Sequence, residues 1–203
     1  MSTDLLASPV RLALDAMGTR FELVLGSGEA VRLRAAGEEA LAEILRLDHQ
    51  LSTYRSSSEV SWINARASQT PVVVEAGLFG LLECCQALSR ATEGAFDITV
   101  GPLLRAWGFV NGTGRLPSDD ARRAAGANVG WKHLELDPDR RTVRFGKPGM
   151  RIDFGAIGKG YAIDAAIEIL RSHDIRSALV HGGTSSIHAI GAPDDSDAWH
   201  TPR

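Results

Sequence analysis

The strongest constraint on the fold is the spacing of apolar residues over residues 30–51, which predicts a long amphipathic helix. Apolar positions recur every three or four residues, and charged residues fill the positions between them. Such a helix buries one stripe, so another element must cover it. The preceding segment Thr19–Leu25 alternates apolar and polar residues, which predicts a half-buried strand. The apolar positions of the helix are Leu33, Ala36, Ala40, Leu41, Ile44, Leu45, Leu47 and Leu51.

Other helix and strand patterns follow along the chain without strict alternation. Mixed strands and helices of this kind indicate an α+β fold, and a length of 203 residues favours one domain over two. We expect helical segments at 59–64, 78–88 and 162–170, and loop with a weak helix at 108–130. We expect short strands at 71–75, 133–136, 142–145, 150–154, 177–180 and 187–190.

Composition excludes several classes of protein. The net charge is −3, whereas a nucleic-acid-binding protein usually carries an excess of basic residues. No apolar run reaches the roughly 18 residues that cross a bilayer. The N-terminus carries Asp4, Arg11 and Asp15 in place of the continuous apolar core of a secretory signal. We therefore expect a cytoplasmic protein without a membrane span or a nucleic-acid partner, in which the adjacent Cys84 and Cys85 are reduced core residues.

A glycine-rich turn between a predicted strand and a helix is the best local signal for chemistry. Gly155, Gly158 and Gly160 let the backbone approach a ligand, and Lys159 adds a positive charge at the helix start. The spacing does not match a Walker A loop, and Gly160 stands where that loop has Ser or Thr. The pattern suits a phosphate cradle, and an ordinary tight turn remains the alternative. The chain has only three lysines, so Lys159 is not part of a lysine-rich face.

A second segment places an acid and a hydroxyl beside an aromatic ring. Asp97 and Thr99 follow Phe96 after the second predicted long helix. Asp97 could accept hydrogen bonds from a base or a ribose, or act as a proton acceptor. The alternative is a turn or N-cap aspartate, which residues of this type commonly supply. The paired glycines at 182–183 similarly permit either a close approach to a ligand or an ordinary turn.

Taken in order, these motifs resemble those of the ApbE family over about residues 17–191. Several motifs in one order and at suitable spacing carry the resemblance, although each is weak alone. They are Met17-Gly18-Thr19, Leu47-Asp48-x-x-Leu51-Ser52-x-Tyr54, Ser58-Glu59-Val60-Ser61-x-Ile63-Asn64, Thr92-x-Gly94-Ala95-Phe96-Asp97-x-Thr99-Val100-Gly101-Pro102-Leu103, Trp107-Gly108, Asp153-Phe154-Gly155-Ala156-Ile157-Gly158-Lys159-Gly160-Tyr161-Ala162-x-Asp164 and His181-Gly182-Gly183.

The resemblance implies an ApbE-like (T-fold-like) α+β fold with mixed sheets and packed helices. It also implies the activity of an FAD:protein FMN transferase, which moves FMN from FAD to a Thr or Ser hydroxyl of a target flavoprotein, with Mg²⁺ and release of AMP. The backbone carbonyl of Ala156 is implied as a Mg²⁺ ligand, and no catalytic residue is assigned. By position, the implied FAD contacts are Met17, Tyr54, Ala95, Phe96, Asp97, Asp153 and Lys159.

Chains of this family continue beyond the length of this one. We therefore expect residues 1–203 to form a single ApbE-like domain without the family's C-terminal third, which includes an Asp and a Thr of the Mg²⁺ site. On that expectation, the alternative function is an FAD-binding remnant or half of a split protein.

Overall fold

The computed structural model describes residues 9–26, 28–112, 114–193 and 197–199. Residues 1–8, which contribute to the expectation that no secretory signal is present, lie outside the described residues. The helices are α1 (Ala30–Leu51), α2 (Glu59–Arg66), α3 (Ala76–Ala91), α4 (Gly101–Ala106), α5 (Asp119–Gly126) and α6 (Gly158–Ser172). The strands are β1 (Val10–Ala16), β2 (Thr19–Leu25), β3 (Val72–Val73), β4 (Leu134–Asp137), β5 (Thr142–Phe145), β6 (Ala178–Gly182) and β7 (Ser186–Ile190).

Two compact units make up the chain, one from residues 1–49 and 157–203 and the other from residues 50–156. The α+β class expected from the sequence is confirmed, with both sheets antiparallel and helices packed on them. In the part of the chain that the structure describes, no helix is both long enough and apolar enough to cross a membrane.

The first unit is built on a four-stranded sheet in the order β1-β2-β6-β7. The buried stripe of α1, with Ala36, Ala40 and Ile44 fully enclosed, packs in one core with the apolar residues of β2, β6 and α6. The predicted bounds of β2 and α1 are confirmed. Gly182 of β6 lies opposite Phe21 of β2, and a Cβ at Gly182 would approach the Phe21 ring to 2.6 Å. The close approach that this glycine permits is therefore to a core aromatic ring.

The second unit carries a three-stranded sheet in the order β3-β5-β4, together with helices α2 to α5. Its β4–β5 hairpin was predicted from the sequence, and Leu134 pairs with Phe145 at one end of it. Buried apolar residues of this unit include Ile63 of α2, Leu82 of α3 and Val143 of β5.

The segment 150–154 is not a strand, contrary to the prediction. Only Arg151 forms a bridge, a single parallel one with Val100. The backbone N–H and C=O of Ile152 are occupied by the side chain of Asn64, and the N–H of Asp153 donates to the carbonyl of Ile98. Because these partners satisfy the backbone of a buried segment, it needs no neighbouring strand.

The prediction that both cysteines lie in the core was wrong for one of them. On α3, Cys85 is fully buried and Cys84 is exposed. Adjacent residues on a helix point in directions about 100° apart, so a helix that buries one face cannot bury both. Burial, and to a smaller extent the neighbouring Cys84, raises the pKa of the Cys85 thiol to about 12.

Candidate functional site

A tight turn after α3 carries the predicted contacts Ala95, Phe96 and Asp97 in the second unit. Gly94 has a φ of 88°, a left-handed conformation that glycine adopts without strain. The Thr92 hydroxyl donates to the carbonyl of Leu88 and accepts from the N–H of Phe96 at 3.0 Å. The turn therefore holds Ala95 exposed and Phe96 half-buried at a fixed distance from the end of α3.

The carboxylate of Asp97 organises the backbone around it. One of its oxygens accepts from the N–H and the hydroxyl of Thr99, at 2.8 and 2.7 Å. The other oxygen accepts from the N–H of Trp131 at 3.0 Å. The fully buried Thr99 hydroxyl in turn accepts from the N–H of Gly130 at 2.8 Å. Asp97 therefore has the geometry of an aspartate that stabilises a turn, which was the alternative given above. A contact between Asp97 and FAD stays a prediction.

The Asp153 carboxylate lies beside the loop that carries Tyr54. Thr53 donates its hydroxyl to one Asp153 oxygen at 3.2 Å, and the N–H of Gly155 donates to the other at 2.8 Å. A Cβ at Gly155 would lie 2.9 Å from that second oxygen, so the close contact favours glycine there. The hydrogen bond from Asp153 to Ile98 also ties this segment to the residue that follows Asp97.

Two side chains that the sequence did not single out individually position this region. Asn64 of α2 is 7% exposed, and its amide both donates to the carbonyl of Ile152 at 2.9 Å and accepts from its N–H at 2.7 Å. Thr53 is the second, through its bond to Asp153. No local pattern could have identified these pairs, because each joins residues far apart in the chain.

Tyr54 is 71% exposed, on a loop that other side chains hold in place. The Ser52 hydroxyl accepts from the backbone N–H groups of Tyr54 and Arg55, both at 3.2 Å. Ser58, the N-cap residue of α2, accepts from the N–H of Ser61 and donates its hydroxyl to the carbonyl of Ser52. The backbone of the loop is therefore fixed while the ring of Tyr54 stays open to a planar ligand.

In the first unit, Met17 occupies the turn between β1 and β2. Met17 and Gly18 have φ values of 49° and 69°, as in the two-residue turns that suit antiparallel hairpins. A methionine in this conformation is strained relative to glycine. Its N–H donates to the carboxylate of Asp48 on α1 at 2.8 Å, and this bond helps to hold the strained turn. Strain of this kind often accompanies function.

Lys159 lies in the first turn of α6, whose N-cap residue Ile157 makes no side-chain capping bond. Within the described residues, Lys159 forms no ion pair. A cation near unsatisfied N–H groups at the start of a 15-residue helix suits an anion. This arrangement is compatible with the predicted phosphate cradle, and the role of Lys159 stays a prediction.

The histidines of β6 and β7 in the first unit both lie near carboxylates. The His181 ring is 3.4 Å from Glu22, and the His188 ring is 3.0 Å from Asp164. A hydrogen bond from Arg20 is the main factor that lowers the pKa of Glu22, and His181 lowers it further. These are pairs, and across the described residues no group of three or more His, Cys, Asp or Glu side chains could hold a metal ion.

Ala156, the implied Mg²⁺ ligand, is exposed in the turn before α6. Mg²⁺ takes six oxygen ligands in octahedral geometry and commonly retains several waters. The nearest carboxylate along the chain is Asp153, and among the described residues no group of three or more His, Cys, Asp or Glu side chains could hold a metal ion. The described residues alone therefore do not form a protein cage for Mg²⁺.

Comparisons with known proteins agree on one family. A family model described as the ApbE family matches residues 17–201. An FAD:protein FMN transferase of Klebsiella pneumoniae (strain 342) is 33% identical over 159 residues, which cover 76% of this chain and 50% of that protein. Another, of Treponema pallidum (strain Nichols), is 33% identical over 187 residues, covering 85% of this chain and 51% of that protein. This chain thus spans about half the length of these curated relatives.

Solved structures show the same likeness. The crystal structure of the ApbE protein from Thermotoga maritima has a TM-score of 0.84 at 32% identity, covering 91% of this chain and 59% of that one. The flavin transferase ApbE from Vibrio cholerae has a TM-score of 0.81 at 29% identity, covering 95% of this chain and 62% of that one.

Proposed function

This chain belongs to the ApbE family, and from that membership we propose that it acts in the transfer of FMN from FAD to a Thr or Ser hydroxyl of a target flavoprotein. The observation that carries the proposal is the family match over residues 17–201. Because the chain spans about half the length of its curated relatives, binding of FAD and transfer of FMN are separate questions.

The proposed reaction is a phosphoryl-type transfer. The acceptor hydroxyl oxygen forms a bond to the phosphorus of the FMN half, and the bond from that phosphorus to the bridging oxygen breaks. The electron pair leaves with AMP, and the hydroxyl proton is released. Catalysis of such steps depends on positioning and on neutralising phosphate charge.

The proposed FAD contacts divide by chemistry. The rings of Tyr54 and Phe96 suit the planar ring systems of FAD, since aromatic side chains stack on flat apolar faces. Lys159 suits the pyrophosphate because it is a cation at a helix start without an ion pair among the described residues. Met17, Ala95, Asp97 and Asp153 complete the proposed set.

We also propose Mg²⁺ as the ion that accompanies FAD, with the Ala156 carbonyl as one of its oxygens. A bound Mg²⁺ would neutralise charge on the pyrophosphate. Substrate phosphates and water commonly supply most ligands of this ion, which is compatible with the absence of an acidic cluster in the described residues. A single flavin transferase domain over residues 1–203 is likewise part of the proposal, and the cytoplasmic location stays a prediction.

Fluorescence titration with FAD, with and without Mg²⁺, tests binding. We expect Lys159→Ala and Asp97→Ala to weaken binding and Lys147→Ala, a matched control, to leave it unchanged. Lys147 lies in the second unit, whereas Lys159 lies in the first, and Lys147 donates to the carbonyl of Ala127. Unchanged affinity in both site variants would remove the site assignment.

Mass spectrometry of an acceptor protein incubated with the chain, FAD and Mg²⁺ tests transfer. A mass gain equal to a bound FMN, lost when FAD is omitted, is the expected result. Intact FAD binding without a mass gain would refute transfer by this chain and support the alternative of an FAD-binding module.

A further inference from the structure

Two arginines line one small pocket of the second unit, and no carboxylate in the described part of the chain forms an ion pair with either. They are the exposed Arg105 of α4 and the half-buried Arg151. Among the described residues, neither guanidinium makes a hydrogen bond or an ion pair. Arg46 and Arg171, in contrast, form ion pairs with Glu43 and Glu168 on helix surfaces.

The backbone holds Arg105 and Arg151 close together. Gly101, at the start of α4, packs against Arg151 so closely that a Cβ there would lie 2.8 Å from the Arg151 carbonyl oxygen. Val100 forms a parallel bridge with Arg151 in the same place. The residue after Arg151 is clamped by the amide of Asn64. These contacts fix the backbone beneath both cations.

The charges around the pocket leave a net positive site. Asp153 also lines it, so its negative charge offsets one of the two positive charges and one net positive charge remains. Burial, with the charge of Arg105 as a smaller cause, lowers the pKa of Arg151 below its ordinary value. Two like charges held close together repel each other, and a bound anion would relieve that repulsion.

We propose that Arg105 and Arg151 form a subsite for a phosphate group, carried by a nucleotide or free in solution. Guanidinium groups bind phosphate oxygens with paired, charge-assisted hydrogen bonds. The pocket is partly open and has about 10 Å³ of space for a water-sized group, so a phosphate would place one oxygen inside it and keep the others at its mouth. The subsite does not depend on FMN transfer, and it can exist whether or not the proposed function is correct.

The test is ligand binding measured by shift of the unfolding midpoint at constant ionic strength. The probes are inorganic phosphate, pyrophosphate, AMP and FAD, with acetate as the reference anion. The variants Arg105→Met and Arg151→Met remove one charge each while keeping an apolar stem. Arg144→Met, on the exposed face of β5, removes the same charge from the same unit away from the pocket and is the matched control.

We expect at least one phosphate probe to stabilise the unmodified chain, and each pocket variant to weaken its affinity by about tenfold or more, as for loss of a charge-assisted hydrogen bond. The control should change affinity by less than about twofold, as for a screened surface charge. Stabilisation by inorganic phosphate identifies a free phosphate site. Stabilisation by AMP or FAD alone identifies a phosphate of a nucleotide.

Three results would overturn the subsite. These are no stabilisation by any phosphate probe, equal stabilisation by acetate, or the same loss of affinity in the control and the pocket variants. Because Arg105 is exposed, we expect Arg105→Met to fold. Its unfolding midpoint without ligand should equal or exceed that of the unmodified chain, since the substitution removes a repulsion between like charges. An arginine needed for the fold would instead lower the ligand-free midpoint.

Discussion

Substitutions of Asp97 can distinguish its contribution to the stability of the fold from its predicted contribution to FAD binding. Three donors converge on this one carboxylate, from the N–H and hydroxyl of Thr99 and from the N–H of Trp131. Asp97→Ala removes all three acceptor contacts at once. Asp97→Asn keeps one oxygen for Thr99 but turns an NH₂ group toward the N–H of Trp131.

The magnitude follows from counting these bonds. A typical intramolecular hydrogen bond contributes about 1 kcal/mol net, and more to a charged acceptor, so Asp97→Ala should cost about 3 kcal/mol. Asp97 is half-buried, and solvent can satisfy part of what is lost, so we use the lower value per bond. Asp97→Asn loses one bond and sets two donors face to face, which should cost about 1–2 kcal/mol.

Equilibrium unfolding in urea, with linear extrapolation to water, measures these differences. Asp139→Ala, an exposed turn aspartate of the same unit, is the control and should stay within about 0.5 kcal/mol of the unmodified chain. FAD titration of each folded variant then reports binding independently of stability.

Alanine at position 97 should be the most destabilising substitution, and asparagine should be intermediate between alanine and the native aspartate. An alanine variant within about 0.5 kcal/mol of the unmodified chain would refute the structural role, since surface substitutions alone fall in that range. Equal losses for alanine and asparagine would show that the geometry of the three bonds does not matter.

Three further predictions concern Asn64 and the two cysteines of the second unit. Asn64→Ala leaves a buried backbone N–H and C=O without their present partner and should lower unfolding stability by roughly 2–4 kcal/mol; a loss under about 1 kcal/mol in urea unfolding would contradict it. Maleimide labelling at pH 8 should modify Cys84 alone in the folded chain and both cysteines after denaturation. Since burial raises the pKa of Cys85 to about 12, its contribution to stability is complete below the unfolded thiol pKa near 8.5–9 and is lost as pH rises toward 12. Cys85→Ala should flatten the fall in stability over that range, and an unchanged slope would contradict the assignment.

Sequence periodicity predicted most of the regular elements. The spacing over 30–51 and the alternation over 19–25 gave the bounds of α1 and β2 that the structure has. The strand β1 was missed, although Val10, Leu12, Leu14 and Ala16 alternate with polar or small residues. The segment 150–154 has the composition of a strand, but side-chain and loop contacts take up its backbone groups.

The sequence by itself determined the elements and the family, because helical and strand periodicities are local and the family motifs survive as residue types in a fixed order. Tertiary structure alone decided which groups meet. The clamp of Asn64 on Ile152, the bond from the N–H of Trp131 to Asp97 and the shared pocket of Arg105 and Arg151 all join residues distant in the chain. Such contacts depend on how the chain closes its loops and buries its core, and no local pattern encodes them.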